Sequence, residues 1–470
     1  MKVLVLEAST SSAKAMVYDK EKGVLALDTL PYGPSVGDVY TQDADAVLES
    51  VLSTGRKTAA SHDVAAIAVV GAWHSILCCD HKMDPVMKAY TWAFTGASGV
   101  AAGLRKDEAF TNHVYETTGC MVHALYPMLK LIYFKENGLL PENCLLTEQS
   151  SYIFYKLTGE RLSTDCLLSG SALFSYKKHD IDSAILERLG LKRGQFAEIT
   201  TYKDARPLSK KMAERLGLSP GIPVVPAMPD GAMNQVGSGA LQSGLMTLSI
   251  GTSAALRMSY DHPVISPKRE TWCYMAPGKY LAGAAVQGST NCVDWFAGEI
   301  MANRFTYREL DEASVCSADA PVFLPFLYGE RCPGWRDERK GGFYGVTGRH
   351  TYKDLYFALL EGVVMNIRQC YAALCKLTGA PKEVRVSGGI LKSHVWSQIL
   401  CDILGRELFM SRSEQASMLG GAVLALHAAG DWQDIADVPV QGYAMAPDLE
   451  RHEFFNERYA RYLHYYTQGV

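Results

Sequence analysis

The chain has 470 residues, 48% of them hydrophobic and 20% charged, which excludes the disordered and fibrous classes. That length implies two or three domains, because single cores rarely grow beyond about 250–300 residues. The net charge of -4, from 46 basic and 50 acidic side chains, leaves no basic excess to neutralise a nucleic-acid backbone.

The chain opens with Lys2 and the apolar run Val3-Leu4-Val5-Leu6, which Glu7 interrupts at once. This reads as a first strand and not as a signal peptide. The most apolar stretch, residues 64–73, is far shorter than the roughly 20 residues that span a bilayer. No Asn-x-Ser/Thr sequon is present, and the twelve cysteines are scattered without a C-x-x-C spacing. They read as reduced, mostly buried thiols, and the expected compartment is the cytoplasm.

Residues 4–19 form an apolar strand, a tip at Ser9-Thr10-Ser11, and a second apolar strand ending in Tyr18-Asp19. Residues 246–261 repeat this pattern half a chain later, with the tip Gly251-Thr252-Ser253 and the ending Tyr260-Asp261. Each half is therefore expected to open with a β-hairpin. Small side chains at a tip let backbone N–H groups and hydroxyls approach a phosphate. Plain turns favour the same residues, but a matched pair at half-chain spacing favours phosphate binding. Glu7 closes an apolar strand, where an unpaired carboxylate is costly. A metal-linked role and a solvent-facing strand end are both open for it.

Residues 65–70 read as a buried strand whose carboxyl end carries Trp73-His74. Trp92 lies a short way on. Aromatic faces pack on sugar carbons and imidazole bonds hydroxyls, although a lone histidine is more often structural. Residues 222–226 read as another strand, followed by Asp230 at the start of a helical pattern. Ligands in open α/β sheets bind beyond the carboxyl ends of strands. Asp230 there is a candidate general base for phosphoryl transfer; taken alone it reads first as a helix N-cap, and both roles can hold at once. The break at Gly237-Ser238-Gly239 divides the chain into residues 1–237 and 238–470.

In the second half, residues 354–377 and 416–429 read as helices, the latter rich in small residues. Gly388-Gly389 joins the strand 384–386 to a helix around Trp396, a turn that permits close approach of a ligand. From Gly430 onward an aromatic tail is expected to pack on the second half. No G-x-x-x-x-G-K-[ST], G-x-G-x-x-G or H-E-x-x-H motif occurs.

These pieces together resemble the FGGY family of carbohydrate kinases over most of the chain. Residues 6–19 look like its first phosphate loop, Ile250-Gly251-Thr252-Ser253 like its second, and Pro229-Asp230-Gly231 like its catalytic segment. Gly71-Ala72-Trp73-His74 resembles the sugar-contacting segment, with Trp73 where Met is usual. Pro127-Met128-Leu129-Lys130-Leu131-Ile132-Tyr133 resembles one family signature, with Tyr133 in place of Trp. Ser387-Gly388-Gly389-Ile390-Leu391-Lys392-Ser393, continuing to Asp402, resembles the other, near the adenosine, and residues 324–335 also have the family's look. Thr118-Gly119-Cys120, His123, residues 152–157 and Trp335 look most like gluconate kinases, with xylulose kinases next.

The resemblance implies an α/β fold of two duplicated ribonuclease-H-like domains, of the actin and hexokinase ATPase type, with a cleft between them. It implies an ATP-dependent kinase of a small sugar or sugar acid. Asp230 is then catalytic, and Trp73, His74, Trp92 and Asp230 bind the sugar. Ser9, Thr10, Ser11, Lys14, Gly251, Thr252, Ser253, Gly388, Gly389 and Ser393 bind ATP, and Glu7 and Asp230 serve Mg2+. His74, His123 and Lys130 are the candidates to meet a sugar-acid carboxylate. The partner is a small-molecule carbohydrate, with no nucleic acid and no membrane, and a homodimer is compatible with the chain. The chain departs from the family pattern at Glu7 and Ser9, where Asp and Gly are usual, and at Phe94 and Gly96, where Asp and Arg are usual. Those departures motivate one rival, a sugar or nucleotide sensor of the same fold without turnover. A nucleotide-driven chaperone or filament protein is a weaker one.

Overall fold

The computed structural model describes residues 1–468 apart from residues 315 and 414. Two large sheets dominate. The first is built from β1 (Lys2–Ala8), β2 (Ser12–Asp19), β3 (Gly23–Pro31), β4 (Ala66–Gly71), β5 (Arg206–Pro207) and β6 (Pro223–Pro229), in the order β5-β6-β4-β1-β2-β3. The second is built from β7 (Leu245–Ile250), β8 (Ala254–Tyr260), β9 (Trp272–Ala276), β10 (Lys279–Val286), β11 (Glu383–Gly388), β12 (Leu408–Ser411) and β13 (Gly442–Met445), in the order β9-β10-β8-β7-β11-β12-β13.

The duplication is explicit in the pairing. In the first half β3, β2 and β1 run antiparallel, then β4 and β6 join parallel. In the second half β10, β8 and β7 run antiparallel, then β11 and β12 join parallel. Each half thus carries the same ribonuclease-H-like core order, and the expected fold is present twice. Both expected hairpins form, with Glu7 opposite Lys14 in the first and Ile250 opposite Ala254 in the second.

Val3, Leu4, Val5 and Leu6 have no exposed surface, because helices cover both faces of the first sheet. Helix α1 (Ala44–Ala59) lies on one face, where Gly55 approaches Leu6. The other face meets a helix from the far half of the chain. Of α2 (Asp230–Gly237), α3 (Tyr352–Thr378), α4 (His394–Leu404), α5 (Ala416–Ala428) and α6 (Leu449–Gln468), it is α5 that crosses to β1 and β4 and packs along α2. The small-residue composition of residues 416–429 now has a reason. A Cβ at Gly237 would meet the Ala416 carbonyl, and one at Gly420 would meet the Met233 carbonyl. The backbones touch there, and only glycine permits it.

Two boundaries differ from the sequence reading. The strand expected at 222–226 continues to Pro229, passing its prolines with a register shift between Val225 and Met228. A bulge is where a strand tolerates proline. Asp230 therefore follows the strand directly, as the first residue of α2. Pro229 is the capping position and makes no side-chain cap bond, so Asp230 is not the N-cap. The aromatic tail packs on the second half as expected, with β13 paired to β12 and α6 lying against α4.

Candidate active site

β4 and β6 end side by side, with Pro229 opposite Gly71. That alignment brings Trp73 and His74, just past β4, next to Asp230, just past β6. They line a cavity of about 100 Å3 together with Trp92, Ser253, Arg257 and Arg331. Ser253 of the second hairpin tip thus shares a cavity with Trp73, His74, Trp92 and Asp230 of the first half. Asp230 Oδ1 accepts the Gly231 backbone N–H at 2.7 Å. Burial pushes the Asp230 carboxyl above its ordinary value, the nearby Glu7 charge pushes it further, and Arg257 opposes both.

The aromatic wall is rigidly held. The Trp73 indole donates to the Cys166 carbonyl at 2.9 Å and stacks on His74 with ring centroids 5.9 Å apart. His74 adopts a left-handed backbone conformation (φ 68°). Its carbonyl accepts from Lys130 Nζ at 2.7 Å. His74 Nδ1 lies 2.6 Å from the Gly170 carbonyl, which can only accept, so Nδ1 carries the proton. Burial, and then the Arg331 charge, hold the imidazole well below its ordinary value. The ring is neutral, and its Nε2 is the acceptor left for a substrate hydroxyl. The Trp92 indole donates to Thr10 Oγ1 at 2.8 Å, tying the sugar side of the cavity to the first hairpin tip.

Glu7 is buried, and each of its carboxylate oxygens accepts one hydrogen bond. Lys14 Nζ reaches Oε1 at 3.1 Å, and Ser417 of α5 donates to Oε2 at 2.8 Å. Lys14 is thus spent on Glu7 rather than held free. Ser9 does not take a positive φ, so the exchange of the usual Gly for Ser carries no backbone strain. Its hydroxyl donates to the Ser12 carbonyl at 2.8 Å. The tip Ser9-Thr10-Ser11 stands beside the carboxyl ends of β1 and β4.

A larger cavity of about 400 Å3 opens beyond β11 and β12, lined by Gly388, Gly389, Lys392, Arg412, Gln415 and Tyr443. Ser393 is not among its lining residues. It is the N-cap of α4 instead, accepting the Trp396 N–H at 3.0 Å. Gly388 has φ 99°, and a Cβ there would collide with the Ile250 carbonyl at the edge of the second hairpin. Gly388→Ala is therefore expected to lower stability by about 1–3 kcal/mol through strain at that φ alone. It should also weaken nucleotide binding, as a thermal melt with and without ATP would report.

The sequence reading missed Arg257 and Arg331, which share the cavity wall with Asp230. Two of the residues read as candidates to meet a carboxylate have partners within the protein. Lys130 is completely buried, donates to the carbonyls of His74 and Leu125, and does not line the cavity. His123 is taken by Asp337, 3.0 Å away, which also pairs with Arg105 at 2.9 Å. A charged residue in the apolar strand β8 was the sign that pointed to Arg257. Arg331 lies in the segment 324–335 that has the family's look, but nothing in that segment singled out its side chain. Phe94 and Gly96, in place of the usual charged residues, form part of an aromatic packing instead. The Phe94 ring meets Tyr90 and Tyr133 edge-on, with centroids 4.8 and 5.3 Å away.

Residues 2–237 match the N-terminal domain model, and residues 246–429 the C-terminal domain model, of the FGGY family of carbohydrate kinases. A gluconokinase of Bacillus subtilis (strain 168) is 26% identical over 452 residues, covering 91% of this chain and 88% of that protein. A xylulose kinase of Staphylococcus xylosus is 24% identical over 448 residues, covering 90% of each. The crystal structure of a xylulose kinase from Lactobacillus acidophilus superposes with a TM-score of 0.92 at 22% identity, covering 99% of this chain and 98% of that one. A gluconate kinase from the same species gives 0.91 at 22%, covering 100% and 98%. These comparisons lend no support to the sensor reading. With two matched domains spanning most of its length, the chain belongs to the FGGY family of carbohydrate kinases.

Proposed function

We propose that this ATP-dependent carbohydrate kinase uses Asp230 as the base that accepts the proton of one substrate hydroxyl. The oxygen so released bonds to the γ-phosphorus of ATP as the bond to the β–γ bridging oxygen breaks, and ADP leaves. The observation that carries this reading is the position of Asp230, which shares one cavity with a sugar-sized aromatic wall and with Ser253 of a hairpin tip. Its carboxyl, raised by burial, is a stronger base than an exposed aspartate. Trp73 and Trp92 pack on carbons of the sugar, and His74 Nε2 accepts from a hydroxyl. The tips Ser9-Thr10-Ser11 and Gly251-Thr252-Ser253 receive the phosphates through the N–H groups of Thr10, Ser11, Thr252 and Ser253, because the Ser9 and Gly251 N–H groups are spent on the Ser12 and Ser253 carbonyls within their hairpins. The cavity at Gly388 and Gly389 takes the adenosine.

The residues present fit Mg2+. The Glu7 charge is one reason the Asp230 carboxyl is raised, and a divalent cation between these two carboxylates and the phosphates would relieve that repulsion. Magnesium on a nucleotide needs only one or two protein carboxylates. Glu7 and Asp230 would hold it, and it supplies positive charge against the phosphate oxygens. Lys14 and Ser417 fix the Glu7 carboxylate in the meantime.

Residues 1–237 and 238–470 are then the two units, a division supported by every strand of the first sheet preceding residue 238 and every strand of the second following it. The crossing of α2 and α5 is the joint about which they close, and closure keeps water from the phosphoryl group. We place the protein in the cytoplasm. Its cysteines are free in the structure, and no helix among the described residues is long and apolar enough to cross a membrane.

Carbohydrate-dependent ADP release tests the reading through its pH profile. The base must be ionised, so kcat/KM falls as pH drops through the Asp230 value. That acid limb is expected above the ordinary aspartate value of about 3.9. In Asp230→Asn that limb is lost together with most of the turnover, whereas an acid limb that survives the substitution would remove Asp230 from the role.

A further inference from the structure

The second hairpin carries a cation of its own into the cavity. Ser253, Ala255 and Arg257 alternate along the chain and all line it, so one face of β8 runs from the hairpin tip into the cavity wall. In the hairpin register Arg257 stands opposite Thr247, whereas Ser249 stands opposite Ala255, two residues nearer the tip. Arg257 Nη1 nevertheless donates to Ser249 Oγ, at 3.0 Å. The side chain therefore leans back along the strand towards Gly251-Thr252-Ser253. Its Nη2 lies over the first turn of α2, where a Cβ at Gly231 would come within 3.0 Å of it. The guanidinium thus stands between the phosphate tip and Asp230.

It has no anion of its own. Among the described residues no carboxylate stands within ion-pair distance of Arg257, and its Nε is enclosed without a partner. Burial lowers the guanidinium from its ordinary value, and the Asp230 charge opposes that, but Asp230 Oδ1 bonds the Gly231 N–H rather than the arginine. A desolvated charge kept without a partner is costly, and the anion that offsets it here arrives with the substrates. Arg331, the other cation of the wall, also lacks an ion pair among the described residues. Its neighbour Glu330 is drawn instead to Arg339 at 2.9 Å and to the Tyr466 hydroxyl at 2.6 Å. Arg331 also lines, with Trp92 and His123, an adjoining cavity that Ser253 and Arg257 do not border. Arg257 is the cation on the phosphate side.

Phosphoryl transfer spreads charge over three equatorial oxygens while the attacking and leaving oxygens stand roughly in line. A cation already aimed beside that line stabilises the charge without reorganising. We propose that Arg257 is a catalytic residue of this kinase, donating from Nη2 to a non-bridging oxygen of the γ-phosphoryl group as it passes from the hairpin tips to the hydroxyl at Asp230. The inference rests on the reading of this cavity as the place of transfer. The hydroxyl oxygen bonds to the γ-phosphorus, its proton goes to Asp230, and the electron pair of the broken bond leaves with ADP. Arg257 keeps its own protons throughout, and Ser249 keeps the guanidinium turned towards the tip.

The test uses the carbohydrate that gives the fastest ADP release and compares the unaltered protein with Arg257→Ala and Arg257→Lys. In Arg257→Ala kcat is expected to fall at least about 100-fold, the scale of one lost donor to a transition-state oxygen, with little change in KM for the carbohydrate. Arg257→Lys should recover only part, because an ammonium keeps the charge without the planar fork. Added guanidinium ion should restore some turnover to Arg257→Ala and none to Asp230→Asn. A second readout needs no turnover. Calorimetry compares Mg-ADP with Mg-ADP plus aluminium fluoride, a mimic of the phosphoryl group in transit, each with the carbohydrate present. Arg257→Ala should bind ADP normally and the fluoride complex at least about 10-fold more weakly, a share of the preference that such mimics show. Should Arg257→Ala fail to fold, the same two measurements on Arg257→Lys decide. Unchanged kcat, or an equal loss for ADP and for its fluoride complex, overturns the proposal. So does a raised carbohydrate KM at full kcat, which would put Arg257 on the sugar. Full turnover in Arg257→Ala beside a silent Asp230→Asn removes Arg257 and leaves the base standing. Full turnover in both, or no carbohydrate-dependent ADP release from the unaltered protein, overturns the reading of the cavity and this inference with it.

Discussion

Asp230→Asn is expected to lower kcat by a factor of about 100 or more, the scale of a lost general base, while ATP still binds. The same change should make the protein more stable at neutral pH. Burial and the Glu7 charge raise the Asp230 carboxyl above its unfolded value, so the ionised form costs stability at every pH above that raised value. Asparagine keeps the shape and removes the charge, and the cost goes with it. A stability gain paired with a loss of turnover is the mark of a residue held at a penalty for function. Turnover and melting temperature on one preparation check both halves. Near-normal turnover would remove Asp230 from the chemistry, and a fall in stability would mean that its carboxylate anchors the fold.

Arg458→Met is expected to cost about 3–5 kcal/mol, the range for breaking a buried ion pair from one side. Arg458 lies on α6 and is 3% exposed. Its guanidinium pairs with the buried Glu361 of α3 and donates to the carbonyls of Ala318, Ala320 and Pro321. One side chain thereby pins the last helix to the long helix of the second half and to a neighbouring loop. Removing it leaves Glu361 buried with its charge and the Ala320 and Pro321 carbonyls short of a donor, while Ala318 keeps Arg461. Replacing both partners, with Glu361→Leu added, should cost less than the single change, since no lone charge remains. Chemical denaturation of the two singles and the double gives the coupling directly. An exposed-site cost of under 1 kcal/mol for Arg458→Met would contradict the packing of α6 described above.

Much of this architecture is local and so was legible. The two hairpins announce themselves because strand alternation, small tips and the closing Tyr-Asp are properties of short segments. Glu7 and Asp230 stood out as charges at the ends of apolar strands; Asp230 lines the cavity, and Glu7 lies near enough for its charge to act on Asp230 without lining it. The same rule pointed to Arg257 inside Ala254–Tyr260, where it went unread. Arg331 offered no such cue. Its isolation exists only because Glu330 is drawn to Arg339 and Tyr466, the latter more than a hundred residues away. Lys130 and His123 looked available for a ligand because their partners, two backbone carbonyls and Asp337, are remote or are not side chains at all. Ser393 looked like a ligand residue within a glycine turn, but a serine before a helix satisfies the helix first. The crossing of α5 onto the first sheet is a long-range contact that composition hints at, through its small residues, without naming the neighbour.

The central claim is that the cavity holding Asp230 between the two halves phosphorylates a carbohydrate hydroxyl. Phosphorus NMR of the products formed from Mg-ATP and a panel of aldonates, pentuloses and alditols tests it most directly. The account predicts a phosphate ester resonance that grows in step with ADP for a carbohydrate of the panel and that is absent in Asp230→Asn. ADP accompanied only by inorganic phosphate, or an ester formed equally well without Asp230, would contradict it.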